Sequence, residues 1–342
     1  MAGTRWLLIE TFGGGEPTVI GLGSAPRKFV PLTQMFRHRE TLATIRGALA
    51  ETAGALAPSE FVSEDGRRRT VTVPRLITPD RMHAVLVWSG PVDEEIPPRD
   101  PVGAWYFNLA TSKSTRSDEL LDLYGVAPEQ RAREHAIAGV FTRVITNSDE
   151  SDALAKVVRS APGTEHQAVW TVRRDDGALR AAHFSCRMLE ERNAAGESEV
   201  LLRGVTHDIG DATDISAAPP PVILEHRVLD AAAADGEYRA IVDLRTLRLL
   251  RWMGPAMPEI AWQSLRGEPE PEIHPDDLAR AKTMSRNLAH TRTAGLLRLR
   301  TLAGDWKLVH ARTALMALDQ YTTAALVTIR EPEPGQQTDH SQ

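Results

Sequence analysis

A run of structural punctuation occurs twice in the last two-thirds of this chain, which points to a fold built from a repeated module. In the later copy, His274-Pro275-Asp276-Asp277 opens a helix, and an apolar run follows at Leu296-Leu297-Arg298-Leu299-Arg300. A tight turn at Gly304-Asp305 then leads into a long strand from Trp306 to Met316. In the earlier copy, Asn147-Ser148-Asp149-Glu150 opens a helix and Ala168-Val169-Trp170-Thr171-Val172 is the apolar run. Asp175-Asp176-Gly177 makes the turn, and a strand runs from Leu179 to Leu189. The steps between these marks agree to within a few residues. The period is too long for a solenoid repeat and suits a small domain used more than once.

Prolines and charges divide the chain. The stretch Gly90-Pro91 through Pro98-Arg99-Asp100-Pro101 cannot extend a helix or a central strand, because proline fixes its own φ and restricts the residue before it. Ala217-Ala218-Pro219-Pro220-Pro221 reads as a stiff spacer. From Glu331 the chain is polar, with prolines and glutamines, and the tail 331–342 is expected to be disordered. Three segments result: 1–98, 102–213 and 222–330. They are expected to be compact lobes strung on the prolines. At roughly 100–150 residues per domain, a chain of 342 residues has room for two or three.

Each segment mixes strands with a few helices. In the first, Trp6 to Ile9 and Thr18 to Leu22 read as strands around the loop Gly13-Gly14-Gly15. Leu42, Ile45, Leu49 and Leu56 recur at helical spacing over about 38–57, and strands follow at Arg69 to Ile77 and Met82 to Trp88. In the second, a strand at Ala104 to Leu109 precedes a short helix that Ser117 caps and Gly125 ends. Its last strand runs from Glu199 to Asp208. In the third, a helix from Val222 to Ala234 is expected, then a hairpin of Tyr238 to Asp243 with Leu247 to Met253. The class that follows is α+β, each segment an antiparallel sheet with flanking helices.

Composition narrows the function. A formal charge of −6 argues against a nucleic-acid-binding surface. The basic triplet Arg67-Arg68-Arg69 follows a turn and reads as the solvated start of a strand. The single cysteine, Cys186, excludes an internal disulfide framework and a multi-thiolate metal site. Its period-two neighbours Phe184 and Met188 suggest a buried thiol. Residues 1–10 have a short apolar stretch but lack the charged start, long apolar region and cleavage site of a secretory signal. No run reaches the roughly 18–20 apolar residues of a membrane span. A cytoplasmic protein is expected.

The second segment resembles a PAS domain. Gly103-Ala104-Trp105-Tyr106-Phe107-Asn108-Leu109, then Ser117-Asp118-Glu119-Leu120 and Tyr124-Gly125-Val126, are similar to the entry strand and first helix of that family. Arg173-Arg174-Asp175-Asp176-Gly177 resembles its hairpin, and Gly204-Val205-Thr206-His207-Asp208-Ile209 its exit strand. Gly210 stands where threonine is usual. The third segment keeps His274-Pro275-Asp276-Asp277 but ends Val327-Thr328-Ile329-Arg330, without the exit signature. The full layout resembles an actinobacterial, mycobacterial-type family of triple sensor-domain proteins with tandem PAS/GAF-like modules and no output domain. The resemblance implies three PAS/GAF-like domains and a signalling or binding role, with no catalytic residues to carry over. GAF-like and PAS-like remain alternatives for the first segment.

No phosphate-binding loop, nucleophile elbow, kinase catalytic loop or zinc-binding His-Glu-x-x-His occurs in the sequence. Gly21-Leu22-Gly23-Ser24-Ala25-Pro26 begins like a dinucleotide loop, but proline stands where the last glycine belongs. His207-Asp208 resembles the start of a metal-dependent phosphohydrolase centre, yet sits at a strand end without the further ligands such a centre needs. His274 with Asp276 and Asp277 reads as a helix start rather than a metal site, because adjacent helical positions do not share a face. A PAS-like cup can hold a ligand. Candidate lining residues are Trp105, Phe107, Phe141, Trp170 and Phe184 in the second segment, and Trp252, Met253, Trp262 and Met284 in the third. The alternative is a filled core, since a small domain needs its aromatics for burial. Haem would need a histidine facing the cup, and the pattern does not place His135, His166, His183 or His290 there. Cys186, on a late strand, does not suit a flavin adduct.

The leading expectation is a non-enzymatic multi-sensor that binds an unidentified small molecule or a signalling protein partner. No cofactor, metal, nucleic acid or membrane is expected; a homodimer is compatible with the layout. The other readings are a ligand-free protein–protein scaffold and an enzyme with an unrecognised hydrolase site.

Overall fold

The computed structural model describes residues 5–145, 149–215, 234–265 and 267–333. Among them, three antiparallel sheets carry most of the order and a few helices flank them. The chain is α+β, as the sequence suggests.

The first sheet contains β1 (Leu7–Glu10), β2 (Thr18–Leu22), β3 (Ala25–Pro31), β4 (Ser59–Val62), β5 (Arg68–Thr78) and β6 (Arg81–Pro91), in the order β3-β2-β1-β6-β5-β4. Helices α1 (Leu32–Met35) and α2 (Arg39–Ala55) fall between β3 and β4 in the chain. On α2 the buried positions Ile45, Ala48, Leu49 and Thr52 form one stripe. Thr52 Oγ1 donates to Thr72 Oγ1 at 2.7 Å, which pins the helix to β5. The central strands β1 and β6 are apolar on both sides. Leu7, Ile9, Val85 and Val87 pack with Leu32, Phe36, Ile45 and Leu49 on the helical side. Trp6, Leu8, Ala84, Leu86 and Trp88 turn the other way. A strand covered on both faces loses its alternation and reads as one apolar run.

The second sheet contains β7 (Val102–Asn108), β8 (Lys113–Arg116), β9 (Glu134–Ala136), β10 (Glu165–Arg173), β11 (Leu179–Arg192) and β12 (Ser198–Asp211), in the order β10-β11-β12-β7-β8-β9. Its helices are α3 (Asp118–Leu123), α4 (Glu150–Arg159) and α5 (Ala212–Ile215), with 3₁₀ turns at Pro128–Gln130 and Ile137–Thr142. Ser117 Oγ accepts from the Leu120 N–H at 3.3 Å, the cap that the sequence suggests. Gly103 is required: a Cβ there would lie 2.3 Å from Leu120 Cα, so only glycine lets α3 close on β7.

The first two segments are not separate lobes. Val102, Ala104 and Val205 of the second sheet join Trp6, Leu8, Leu86 and Trp88 of the first in one buried apolar cluster. Trp6 Nε1 donates to Pro97 O at 2.8 Å, so the proline-rich connection is itself part of the packing. Arg187 on β11 pairs with the buried Glu10 of β1 at 3.2 Å. His83 Nδ1 lies 3.4 Å from Gly204 O. The cause lies in β1 and β6: with apolar side chains on both faces, one face needs a cover that the first segment does not supply.

The third sheet contains β13 (Tyr238–Val242), β14 (Leu249–Trp252), β15 (Thr293–Arg300), β16 (Trp306–Ala317) and β17 (Thr323–Arg330), in the order β14-β13-β17-β16-β15. This is the order of β8-β7-β12-β11-β10, so the repeated cadence is a repeated topology. Helix α6 (Leu278–Asn287) follows a 3₁₀ turn at Pro275–Asp277. The chain gathers into two compact units: 1–110, 115–133 and 161–219 form one, and 111–114, 134–160 and 220–342 the other. Residues 134–160, which include the 137–142 turn and α4, therefore fall in the compact unit that holds the third sheet.

Asn147 and Ser148 of the earlier helix opening, the spacer 217–221, residues 222–233 of the expected Val222–Ala234 helix and the tail from 334 lie outside the described residues. Among the described residues, no helix is long and apolar enough to cross a membrane.

Candidate functional site: a cavity on the third sheet

The site starts from how α6 is fixed. His274 Nδ1 accepts from the Asp276 N–H at 3.2 Å, and Pro275 occupies the first turn, where its missing N–H costs nothing. Asp277 is buried and accepts from both the Arg298 backbone N–H at 2.8 Å and Arg298 Nε at 2.9 Å. The motif thus clamps the helix start onto β15. Leu278, Ala281, Met284 and Leu288 then fall on the side facing the sheet.

Ala281 and Met284 of the helix pack with Leu297, Val309, Ala311 and Ile329 of the sheet in one apolar cluster, so helix and sheet close over part of their length. A cavity of about 710 Å³ remains between them, within the size range of small-molecule sites. Its walls are aliphatic, with Ala240, Val242, Leu297, Val309, Ala311 and Val327 prominent on the sheet side. Trp252 and Trp262 meet edge to face beside it, ring centroids 6.3 Å apart. Thr111, Ser112, Lys113 and Ala136, from the second segment of the sequence, complete the lining within the same compact unit.

Of the residues singled out from the third segment, Trp252, Trp262 and Met284 line this cavity. Met253 does not; its backbone N–H donates to Arg239 O at 2.8 Å. Successive positions on an extended chain point opposite ways, so Trp252 and Met253 do not both face inward. In the second segment, Trp105, Phe107, Trp170 and Phe184 share one face of the sheet. All four are buried, and they pack in pairs: Trp105 on Phe107 with centroids 4.7 Å apart, Trp170 on Phe184 at 5.2 Å. Trp105 lies across Gly204, where a Cβ would come within 2.4 Å of the indole. Phe141 is buried in the 137–142 turn, an element that packs beside β14. The rim residues Thr111 to Lys113 and Ala136 carry no sequence signal of their own.

Three family models match the chain end to end: "Rv3651-like, N-terminal" over residues 5–98, "Rv3651-like, middle domain" over 101–208 and "Rv3651-like, C-terminal domain" over 222–340. A crystal structure of a protein from Mycobacterium tuberculosis is 29% identical, with a TM-score of 0.85 and 98% of each chain covered. The chain belongs to the Rv3651-like family. Two partial likenesses are to a sensory box histidine kinase/response regulator from Burkholderia thailandensis and to the N-terminal domain of a diguanylate cyclase with a PAS/PAC sensor from Marinobacter aquaeolei. Both are 20% identical with TM-scores of 0.26, covering 39% and 32% of this chain and 92% and 95% of theirs. At those scores neither bears on what the chain does. No curated protein matches it.

In this Rv3651-like chain the rim of the cavity is charged but balanced. Lys113 Nζ pairs with Glu270 at 2.8 Å, and Arg300 pairs with Glu272 at 2.7 Å. Burial alone would raise the Glu270 carboxyl; hydrogen bonds from Lys113 and Ser264 outweigh it and hold the group below its usual range. Deeper in the same unit, Arg251 pairs with Glu150, the first residue of α4. Burial lowers the Arg251 guanidinium to about 10.

The other candidate centre is bound up in structure. His207 Nε2 lies 3.2 Å from Asp100 Oδ2, and the same oxygen accepts from Ser24 Oγ at 2.9 Å. The carboxylate stands between hydroxyl and imidazole, so His207 is not placed to take the Ser24 proton. Burial would raise Asp100, and its bonds to His207 and Ser24 bring it below the usual range instead. Asp208 accepts from Arg180 Nε through both oxygens, at 3.2 and 3.0 Å. His183, paired across the strands with His207, is pushed down to about 4 by burial and by the neighbouring imidazole. Among the described residues, no group of three or more His, Cys, Asp or Glu is arranged to hold a metal ion.

Proposed function

We propose that the chain is a non-enzymatic cytoplasmic sensor whose third, PAS-like domain holds a small molecule in the cavity on its sheet. The observation that carries this reading is the composition of the wall. Residues matched by the middle family model, Thr111 to Lys113 and Ala136, line a cavity otherwise built from the C-terminal domain. A ligand there touches two family domains at once. A route outward is also in place. Trp252 faces the cavity, while its neighbour Arg251 holds Glu150 at the start of α4. Occupancy that shifts β14 is felt at α4, and a signalling protein partner would read the change. A ligand moves such an equilibrium only by its differential affinity for the two states.

The non-enzymatic part of the reading is supported by the engagement of His207 and Asp208 with Asp100 and Arg180, as strand-end fasteners. The solid packing of the first two sheets favours a scaffolding role for that part of the molecule.

Native mass spectrometry of the freshly purified chain tests the proposal and reports stoichiometry, including a homodimer, together with any bound molecule. The expected result is a non-covalent adduct of small-molecule mass, lost on denaturation. Bare protein, together with no thermal shift from any member of a small-molecule library, would leave the scaffold reading instead.

A further inference from the structure

Resting on the ligand-binding reading above, we infer that the cavity takes an uncharged, largely apolar molecule and rejects carboxylates and phosphates of the same size. Four charged residues line it: Lys113, Arg248, Glu270 and Glu272. Their charges sum to zero. Three of them have partners: Lys113 with Glu270, and Glu272 with Arg300. The remaining one, Arg248, is exposed, and its field falls on Glu270. An anion entering the cavity would therefore find only Arg248, an exposed guanidinium screened by solvent, unless it broke the Lys113–Glu270 pair.

Three hydroxyls of the wall are also engaged within the protein. Ser285 Oγ donates to Leu244 O at 2.8 Å, Ser264 Oγ donates to Glu270 at 2.9 Å, and Thr313 Oγ1 bonds Thr293 Oγ1 at 2.6 Å. What these bonds leave at the wall is mostly methyl, methylene and ring surface, together with the indole N–H of Trp252, a buried neutral donor without a hydrogen-bond partner among the described residues. Such a wall gains by covering apolar area and by giving the Trp252 N–H a neutral acceptor, which is little compensation for a charge stripped of water.

Nile red, a neutral dye with a single carbonyl, serves as the probe for the full chain. Its emission is expected to shift to the blue and saturate at one dye per chain. Methyl decanoate should displace it at a concentration about tenfold or more below decanoate, a preference of at least about 1.4 kcal/mol. The Ala311→Phe variant, which places a ring in the space, should lose the dye signal. Displacement by decanoate as good as by its ester would overturn the inference about ligand class and leave the binding cavity standing. Failure of the dye to bind, or binding unchanged in Ala311→Phe, would overturn both. The ester–acid comparison uses the unmodified chain and does not depend on the variant folding.

Discussion

The second and third sheets share a strand order, yet their inner faces are opposites. On the second, β7 presents Trp105 and Phe107, paired with Gly204 and Leu202 of β12. On the third, β13 presents Ala240 and Val242, paired with Val327 and Ala325 of β17. Where the second sheet has Trp170 on its outermost strand β10, the third has Leu297 on the equivalent β15. Large rings lie against small partners on one face; aliphatic residues of β13, β15, β16 and β17 border about 710 Å³ of cavity on the other. One backbone plan therefore serves as a packed core in one copy and a receptacle in the next, and the choice rests on a few side-chain volumes.

The packed half should be the more acid-sensitive. Burial pushes His83 down to about 3 and His183 to about 4, so both stay neutral in the fold. The unfolded chain protonates them below about pH 6.5. It thus binds more protons than the native state in that window, and stability falls as the pH drops. Stability should be full above about pH 6.5 and decline by about 1.4 kcal/mol per pH unit for each histidine down to about pH 4. Urea unfolding at a series of pH values measures this slope, and a His183→Asn variant should flatten it. A flat profile between pH 7 and 4.5 would remove the claim. Truncating the filler comes next in size. Trp105→Ala should cost about 3–5 kcal/mol in denaturant, because it empties ring volume and frees Thr206 Oγ1, which accepts from the Trp105 indole at 3.0 Å. The smallest effect on stability belongs to the opposite change. Ala311→Phe enters space that already exists, so its unfolding midpoint should stay within about 1 kcal/mol of the parent, a contrast that calorimetry resolves. A loss as large as that of Trp105→Ala would mean the third sheet has no room to spare.

Much of the fold was readable in residue order. The helix of α2, the cap at Ser117, the turn at Gly177 (φ +86°) and the 238–252 hairpin all have local causes, and local causes show in sequence. β8 and β9 leave no trace in the sequence, because Lys113–Arg116 and Glu134–Ala136 are short and carry no apolar periodicity. The shared core of the first two segments has a signature in the sequence. Trp6-Leu7-Leu8-Ile9 and Ala84-Val85-Leu86-Val87-Trp88 do not alternate, and a non-alternating strand is one with cover on both sides. Prolines between segments show where regular structure stops; they do not show whether the flanking surfaces pack. The cavity was half legible. Trp252, Trp262 and Met284 could be singled out by type, but emptiness comes from the absence of bulk at Ala240, Ala311 and Ala325, and small residues attract no notice in a sequence. Only laying the two copies over each other makes them informative.

The lining from Thr111 to Lys113 and Ala136 carries an engineering consequence. Anyone who excises the last 120 or so residues as a self-sufficient module, on the strength of the C-terminal family match at 222–340, takes the bowl without part of its side. A ligand screen on such a fragment would interrogate a different vessel from the one the whole polypeptide makes.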